Sequence, residues 1–176
     1  MSMTMTMTMT MEEKPLLSAE IVLRQVVLEA ANLASTEAFR TRAQQHRDAT
    51  SFAFPEVRFG YRCGFSMPAP GQAWVRLDLS LDAMGGDGTE QLGLSATYQL
   101  AFCFELPTWV DYLERNKLFD LGQAAKMVLA SISFSTARGI LSERAQGTYF
   151  AGFILPIISP GDLISAPADG TLANKK

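Results

Sequence analysis

Few residues of this sequence have the type and spacing that catalysis or metal binding requires. The chain holds one histidine, His46, in a polar stretch between predicted strands, where a solvated loop residue is a better interpretation than a base or a ligand. One histidine supplies neither a complete Ser-His-Asp arrangement nor a His/Cys zinc cluster. Asp78 and Asp82 share a predicted strand face with Arg76, which permits acid-base work. A solvated outer sheet face explains these three charges better.

Two further patterns do not fit a catalytic, phosphate-binding or metal-binding site. The glycine-rich stretch 85–88 is followed by Thr89-Glu90-Gln91 rather than by a helix and a lysine, so it fits a hairpin turn and not a phosphate-binding loop. Cys63 and Cys103 have no metal-binding or redox spacing, which favours a reduced, cytoplasmic location. The sequence therefore predicts a protein that is not an enzyme, with no catalytic residue, no metal and no cofactor.

Three runs alternate apolar and polar residues with the period of a strand. They are Glu56–Met67, Ala73–Asp82 and Leu92–Leu106. Because side chains alternate across a pleated sheet, three such runs predict one sheet with one apolar face. The connections are short and rich in turn formers, which predicts an antiparallel meander.

One long helix is predicted after the strands. Asp120 and Gln123 have the spacing of a capping box, and apolar residues recur at helical spacing until Gly147, over about 26 residues. The expected fold is α+β, with a four-stranded antiparallel meander, made of these three runs and one strand earlier in the chain, covered by this C-terminal helix. A second helix surface is lined by small residues, Ser131, Ser135 and Gly139, and we expect it to contact another copy in a homodimer or homotetramer.

Arg138 is a charge in a mostly apolar helix. In one interpretation, its guanidinium pairs with an acceptor inside the chain or across the subunit interface. In the alternative, the guanidinium lies in solvent and only the aliphatic part of the side chain is buried.

The order of strands and helix, with several short motifs, resembles the SecB family of export chaperones over about residues 21–158. The similar stretches are Leu28–Asn32 at the end of the first strand, Pro55–Phe59 opening the second, Tyr98–Phe104 closing the fourth, Phe134–Arg138 within the helix, and Gly147–Tyr149 with Leu155–Ile157 beyond it. The resemblance implies the family's fold and its binding of unfolded polypeptide.

The predicted polypeptide-binding residues come from two places. Val57, Phe59 and Tyr61 match the strand positions that line the client groove in that family, although an ordinary core would use the same residues. The second group follows the helix stop, where a dense apolar segment has few places to be buried: Tyr149, Phe150, Phe153, Ile154 and Leu155.

The resemblance also bears on the export motor SecA. Glu29 matches one of the family's acidic docking positions and is the predicted partner-binding residue. Gln25 and Thr97 stand where two other acids would be. Binding to SecA is therefore expected to be absent or much weaker than for a standard family member.

The ends of the chain are expected to lie outside the folded domain. Residues 1–18 are predicted to be a disordered Met/Thr-rich tail without the features of a signal peptide. Residues 19–158 form the predicted SecB-like domain. Residues 159–176 are predicted to be a flexible tail, because their Pro and Gly content disfavours the second helix that forms one wall of the family's groove.

Composition excludes several other classes of protein. The 176 residues are 48% hydrophobic, and 15 Lys and Arg against 18 Asp and Glu leave a net charge of -3. Nothing in this balance favours a nucleic-acid partner. The longest apolar stretch, Phe150–Ile158, is about half of the roughly 18 residues that span a bilayer, so no membrane insertion is expected.

Two functions remain open. The first is a SecB-like, ATP-independent holding chaperone for unfolded or precursor proteins, with a possible role in export. The second is a binding module on the same fold, dedicated to one protein such as a toxin-antitoxin partner, or to a small apolar ligand.

Overall fold

The computed structural model describes residues 21–47, 56–85, 88–107, 121–165 and 170–172. The predicted tail at 1–18 lies outside these ranges, and so does Asp120 of the predicted capping box. The described elements, in chain order, are β1 (Val22–Ser35), α1 (Glu37–Arg47), β2 (Glu56–Ala69), β3 (Gln72–Met84), β4 (Gln91–Glu105), α2 (Gln123–Ala145), α3 (Pro160–Ser165) and β5 (Gly170–Leu172).

The strands form one antiparallel sheet in the order β1-β4-β3-β2-β5. The meander of β2, β3 and β4 and the long helix α2 confirm the predicted α+β fold class. β1 pairs with the far side of β4, from Val22 opposite Glu105 to Ser35 opposite Leu94. Three consecutive strands and one that reaches them by a long connection make a Greek key.

The predicted alternation separates the two faces of the sheet. The odd-numbered apolar residues of β3 and the even-numbered ones of β4 from Leu94 onward are buried, as are the first three apolar positions of β2. Helix α2 covers this face. The largest fully buried side chains are Phe102, Phe104, Phe150, Leu77, Leu81, Met84, Leu94, Leu100, Leu106, Leu129 and Val75.

Helix α2 ends as predicted but begins without the predicted cap. Its N-cap is Gly122, and no side chain caps it. At the other end, Gly147 has a φ of 76°, and the Thr148 N–H donates to the Ala145 carbonyl at 3.0 Å. Such a left-handed glycine just past the last turn is the usual stop signal of a helix.

Three elements, α1, α3 and β5, were absent from the sequence prediction. Helix α1 begins where the Thr36 hydroxyl accepts a hydrogen bond from the Phe39 N–H at 3.2 Å. Phe39 and Ala43, one turn apart, are buried against the core.

The prediction of a flexible tail over 159–176 is wrong for α3 and β5. Pro160 occupies the first turn of α3, where its missing N–H costs nothing. Ser159 caps the helix by accepting from the Asp162 N–H at 3.2 Å and donating to the Asp162 carboxylate at 2.7 Å. The stretch Ser159-Pro160-Gly161-Asp162 is thus a helix start, and its capping pattern is recognisable in the sequence alone.

Candidate polypeptide-binding surface

The three predicted groove residues of β2 belong to the core of the single chain. Val57, Phe59 and Tyr61 are all buried, and Phe59 is only 3% exposed. The Phe59 and Tyr61 rings stack with centroids 5.8 Å apart, and Phe59 lies 6.3 Å from the ring of Phe134 on α2. In this arrangement they are covered by the chain itself, and their role in binding stays a prediction.

Helix α3 provides part of that cover. The Tyr61 hydroxyl donates a hydrogen bond to the Asp162 carbonyl at 3.1 Å, across about a hundred residues of sequence. Leu163, one residue further on, is buried in the same core. Burial raises the pKa of Tyr61, and the charge of Asp162 adds to the increase. The C-terminal segment thus occupies the position beside β2 that the sequence analysis assigned to a client.

The segment after α2 divides the predicted binding residues into two sets. Phe150 and Leu155 are buried, and Phe153 is half-buried. Tyr149 and Ile154 are exposed by 41% and 67%. A compact turn enforces this division, because the Thr148 side chain accepts from the Phe150 N–H at 3.1 Å and Gly152 has a φ of 88°.

An apolar surface therefore remains on this segment. Ile157 is 87% exposed, the highest value among the exposed large hydrophobic residues, and the sequence analysis did not assign it to the site. We call Tyr149, Ile154 and Ile157 the apolar rim. The Tyr149 ring packs edge-on against Phe39 of α1, with centroids 5.0 Å apart, so one end of the rim is anchored.

A second apolar surface lies on β1, at the edge of the sheet. Leu23, Val26 and Leu33 are each exposed by more than a third. Within the described residues no strand pairs with the outer side of β1, so its backbone groups along this edge have no ladder partner. Sequence alternation did not reveal β1, because its burial pattern has no clear period of two.

The predicted partner-binding acid is engaged inside the chain. Arg76 donates to the Glu29 carboxylate at 3.0 Å on the outer sheet face. Gln25 and Thr97 lie opposite Cys103 and Asn32 in the β1–β4 ladder. A cavity of about 440 Å³ adjoins Glu29 and Arg76 and is lined also by Gly64, Phe65, Ser66, Trp74, Val75 and Ala101.

The predicted interface residues lie on the side of α2 that faces away from the sheet. Ser135 and Gly139 are exposed, and Ser131 is half-buried with its hydroxyl donating to the Met127 carbonyl at 2.8 Å. A Cβ added at Gly139 would meet no atom within 4 Å. The Nε of Arg138 is buried without a hydrogen-bond partner among the described residues.

The described part of the chain contains no group of three or more His, Cys, Asp or Glu side chains that could hold a metal ion. In those same ranges, no helix combines the length and the hydropathy needed to cross a bilayer.

No protein-family model and no curated protein matches the chain. Among solved structures, the chain is similar to the SecB-like chaperone Rv1957 of Mycobacterium tuberculosis, in complex with a ChAD peptide from the Rv1956 HigA1 antitoxin. The identity is 12%, the alignment covers 80% of this chain and 92% of that one, and the TM-score is 0.49.

Proposed function

We propose that this protein is a SecB-like, ATP-independent holding chaperone that binds apolar stretches of unfolded or partly folded polypeptide. The apolar rim carries the proposal. Ile154 and Ile157 are exposed although the residues around them are anchored by the buried Leu155 and Leu163. Fully covering such a side chain is favourable by about 1.5–3 kcal/mol, so an apolar partner gains binding free energy here without the protein unfolding.

A second candidate is a module dedicated to one protein. The observation that favours it is the cover over β2, since Phe59 and Tyr61 are buried and the apolar surface beyond α2 is reduced to a short rim. Such a rim fits a short apolar segment of one partner better than long stretches of many clients. Co-purification from native cells separates the two, because general holding brings down many precursors and dedicated binding brings down one protein.

The proposal includes three statements about the setting. Both cysteines are free, which supports a reducing, cytoplasmic location. Glu29 is already paired with Arg76, which supports the absence of SecA as a partner. The unpaired edge of β1 and the exposed small residues of α2 support a homodimer or homotetramer.

The direct test uses reduced, carboxymethylated α-lactalbumin as a permanently unfolded probe. The wild-type protein is expected to bind it and to suppress aggregation of a thermally unfolded enzyme without ATP. The double variant Ile154→Ser/Ile157→Ser is expected to lose about tenfold or more in affinity, since two exposed aliphatic contacts disappear. Ile154→Val/Ile157→Val, which keeps aliphatic side chains at the same exposed positions, is the matched control. Full binding by the rim variant contradicts the proposal.

A further inference from the structure

The outer edge of β2 is only partly occupied. β2 is 14 residues long, but β5 pairs with just three of its positions, with Phe59 opposite Leu172, Gly60 opposite Thr171 and Tyr61 opposite Gly170. Within the described residues no strand continues this pairing along 62–67. An edge of this kind presents N–H and C=O groups to any extended chain that aligns with it.

The apolar face next to this open stretch is also incompletely covered. Cys63, Phe65 and Met67 alternate along β2 on the same side as Phe59 and Tyr61, yet they are only partly buried. A strand placed beside 62–67 would turn every second side chain toward them. The unpaired backbone and the partly covered apolar side chains thus coincide on one strand.

The strand that covers the rest of the edge, β5, is weakly held. It has only three residues, whereas α3 is anchored by the buried Leu163 and by the Tyr61 hydrogen bond to the Asp162 carbonyl at 3.1 Å. Ordering a backbone residue costs about as much free energy as one hydrogen bond returns, so a three-residue strand gains little from pairing. A longer strand at the same edge would form more of these hydrogen bonds.

We propose that β5 is an internal substitute for a client strand. An extended polypeptide segment with apolar residues at alternate positions displaces Gly170–Leu172 and pairs with β2 from Phe59 to Met67. This is strand addition to a sheet edge, in which backbone pairing supplies affinity and alternate side chains supply specificity. The inference rests on the proposed binding of unfolded polypeptide, and it adds to the apolar rim a second contact, the edge of β2, together with a competing segment.

A disulfide lock tests the exchange. Gly60 and Thr171 are directly opposite in the β2–β5 ladder. Such pairs have Cα atoms about 4.5–5.5 Å apart, within the range that a disulfide bridges. The variant Gly60→Cys/Thr171→Cys is expected to bind reduced, carboxymethylated α-lactalbumin at least about tenfold more weakly when oxidised, and to recover on addition of dithiothreitol. Each single variant under oxidising conditions is the matched control. Equal affinity of the locked and reduced forms overturns the proposal.

The opposite change releases β5. Only alternate residues of a strand direct their N–H toward a given neighbour, so Thr171→Pro/Leu172→Pro removes a donor from the β2 pairing in either register. If β5 blocks the edge, this variant binds the probe several-fold more tightly, because the competent fraction of molecules rises. Unchanged or weaker binding contradicts the inference.

Hydrogen exchange separates the two proposals. When the probe binds, the amides of 170–172 should exchange faster and those of 62–67 more slowly. Probe binding with both segments unchanged leaves the chaperone proposal standing and removes the strand exchange. Failure of both the wild-type protein and the proline variant to bind the probe removes the proposed function and this inference together.

Discussion

At the scale of the residue, the burial of Phe59 assigns the first apolar positions of β2 to the core of the single chain. Its ring is 3% exposed and packs between Tyr61 and Phe134. Phe59→Ala is expected to lower the free energy of unfolding by about 3–5 kcal/mol, because it removes buried apolar area and leaves a cavity. Urea denaturation measures this cost.

Ile157→Ala is the matched control for that substitution. Ile157 is 87% exposed, so its truncation should change stability by no more than about 0.5 kcal/mol. A Phe59→Ala variant with wild-type stability would show that β2 is an open groove in solution.

The thiol of Cys63 carries a pH-dependent prediction. Burial raises its pKa from 9.0 to about 12. The folded chain therefore keeps this proton at a pH where an unfolded chain loses it. The stability that this group contributes is fully present below pH 9 and is lost as the pH rises from 9 toward 12.

Iodoacetamide labelling at pH 8.5 measures the same effect, because the thiolate is the reactive form. Cys63 should be labelled slowly in the folded protein and rapidly in denaturant, with the peptide identified by mass spectrometry. Labelling at equal rates in both states would contradict the burial of this thiol.

The sequence predicted which residues of β2 face the apolar side, but not what covers them. The alternation of Val57, Phe59 and Tyr61 follows from pleating alone, whereas their cover includes α3, about a hundred residues further along the chain. Periodicity is a local signal. It cannot distinguish a core from a groove when the distinction depends on a distant segment.

At the scale of the element, Gly93 of β4 contacts Thr36, the residue at the start of α1. It has a φ of 78°, and its carbonyl accepts from the Thr36 N–H at 2.8 Å. A Cβ here would lie 2.9 Å from Thr36 Cγ2 and closer still to Oγ1, the atom that caps α1. The glycine is required both by its dihedral angle and by the close approach of Thr36.

A positive φ alone costs an alanine about 1–2 kcal/mol. Gly93→Ala is therefore expected to destabilise the protein by more than this amount. Gly147→Ala is the matched control, since Gly147 has a φ of 76° and open space around an added Cβ. Thermal unfolding gives both costs, and hydrogen exchange at the Phe39 amide reports the cap. Equal costs and an unchanged Phe39 amide would remove Thr36 from the explanation.

The elements differ in how far the sequence predicted them. β2, β3, β4 and α2 have clean periods over more than ten residues, and each forms as expected. β1 was visible only through the family resemblance, since an edge strand with exposed residues on both faces has no period. α3 was not predicted, because Pro and Gly residues disfavour a helix in general, whereas here the Ser159–Asp162 cap starts one.

At the scale of the whole molecule, two surfaces of the described residues are candidates for contact with another copy. β1 presents an edge without a strand partner among the described residues, together with the exposed Leu23, Val26 and Leu33. The outer side of α2 presents Ser135 and Gly139, with the buried Nε of Arg138 unpaired beside them in the same ranges. Closed assemblies commonly bury such self-complementary surfaces. We expect a homodimer or homotetramer, and a monomer by light scattering at micromolar concentration would contradict it.

Two substitutions at Gly139 test whether α2 forms that interface. Gly139→Ala should raise the stability of the subunit by about 0.5–1 kcal/mol, because an added Cβ has open space and alanine favours a helix. This variant is also the matched control, since a single methyl group changes the approach of a partner subunit little.

Gly139→Leu keeps the helix preference, but its larger side chain overfills a close contact between subunits, at a cost of about 1–3 kcal/mol. It should weaken association by about five- to a hundredfold, measured by analytical ultracentrifugation. Identical association of the two variants would place the interface elsewhere, with the edge of β1 as the surface that remains.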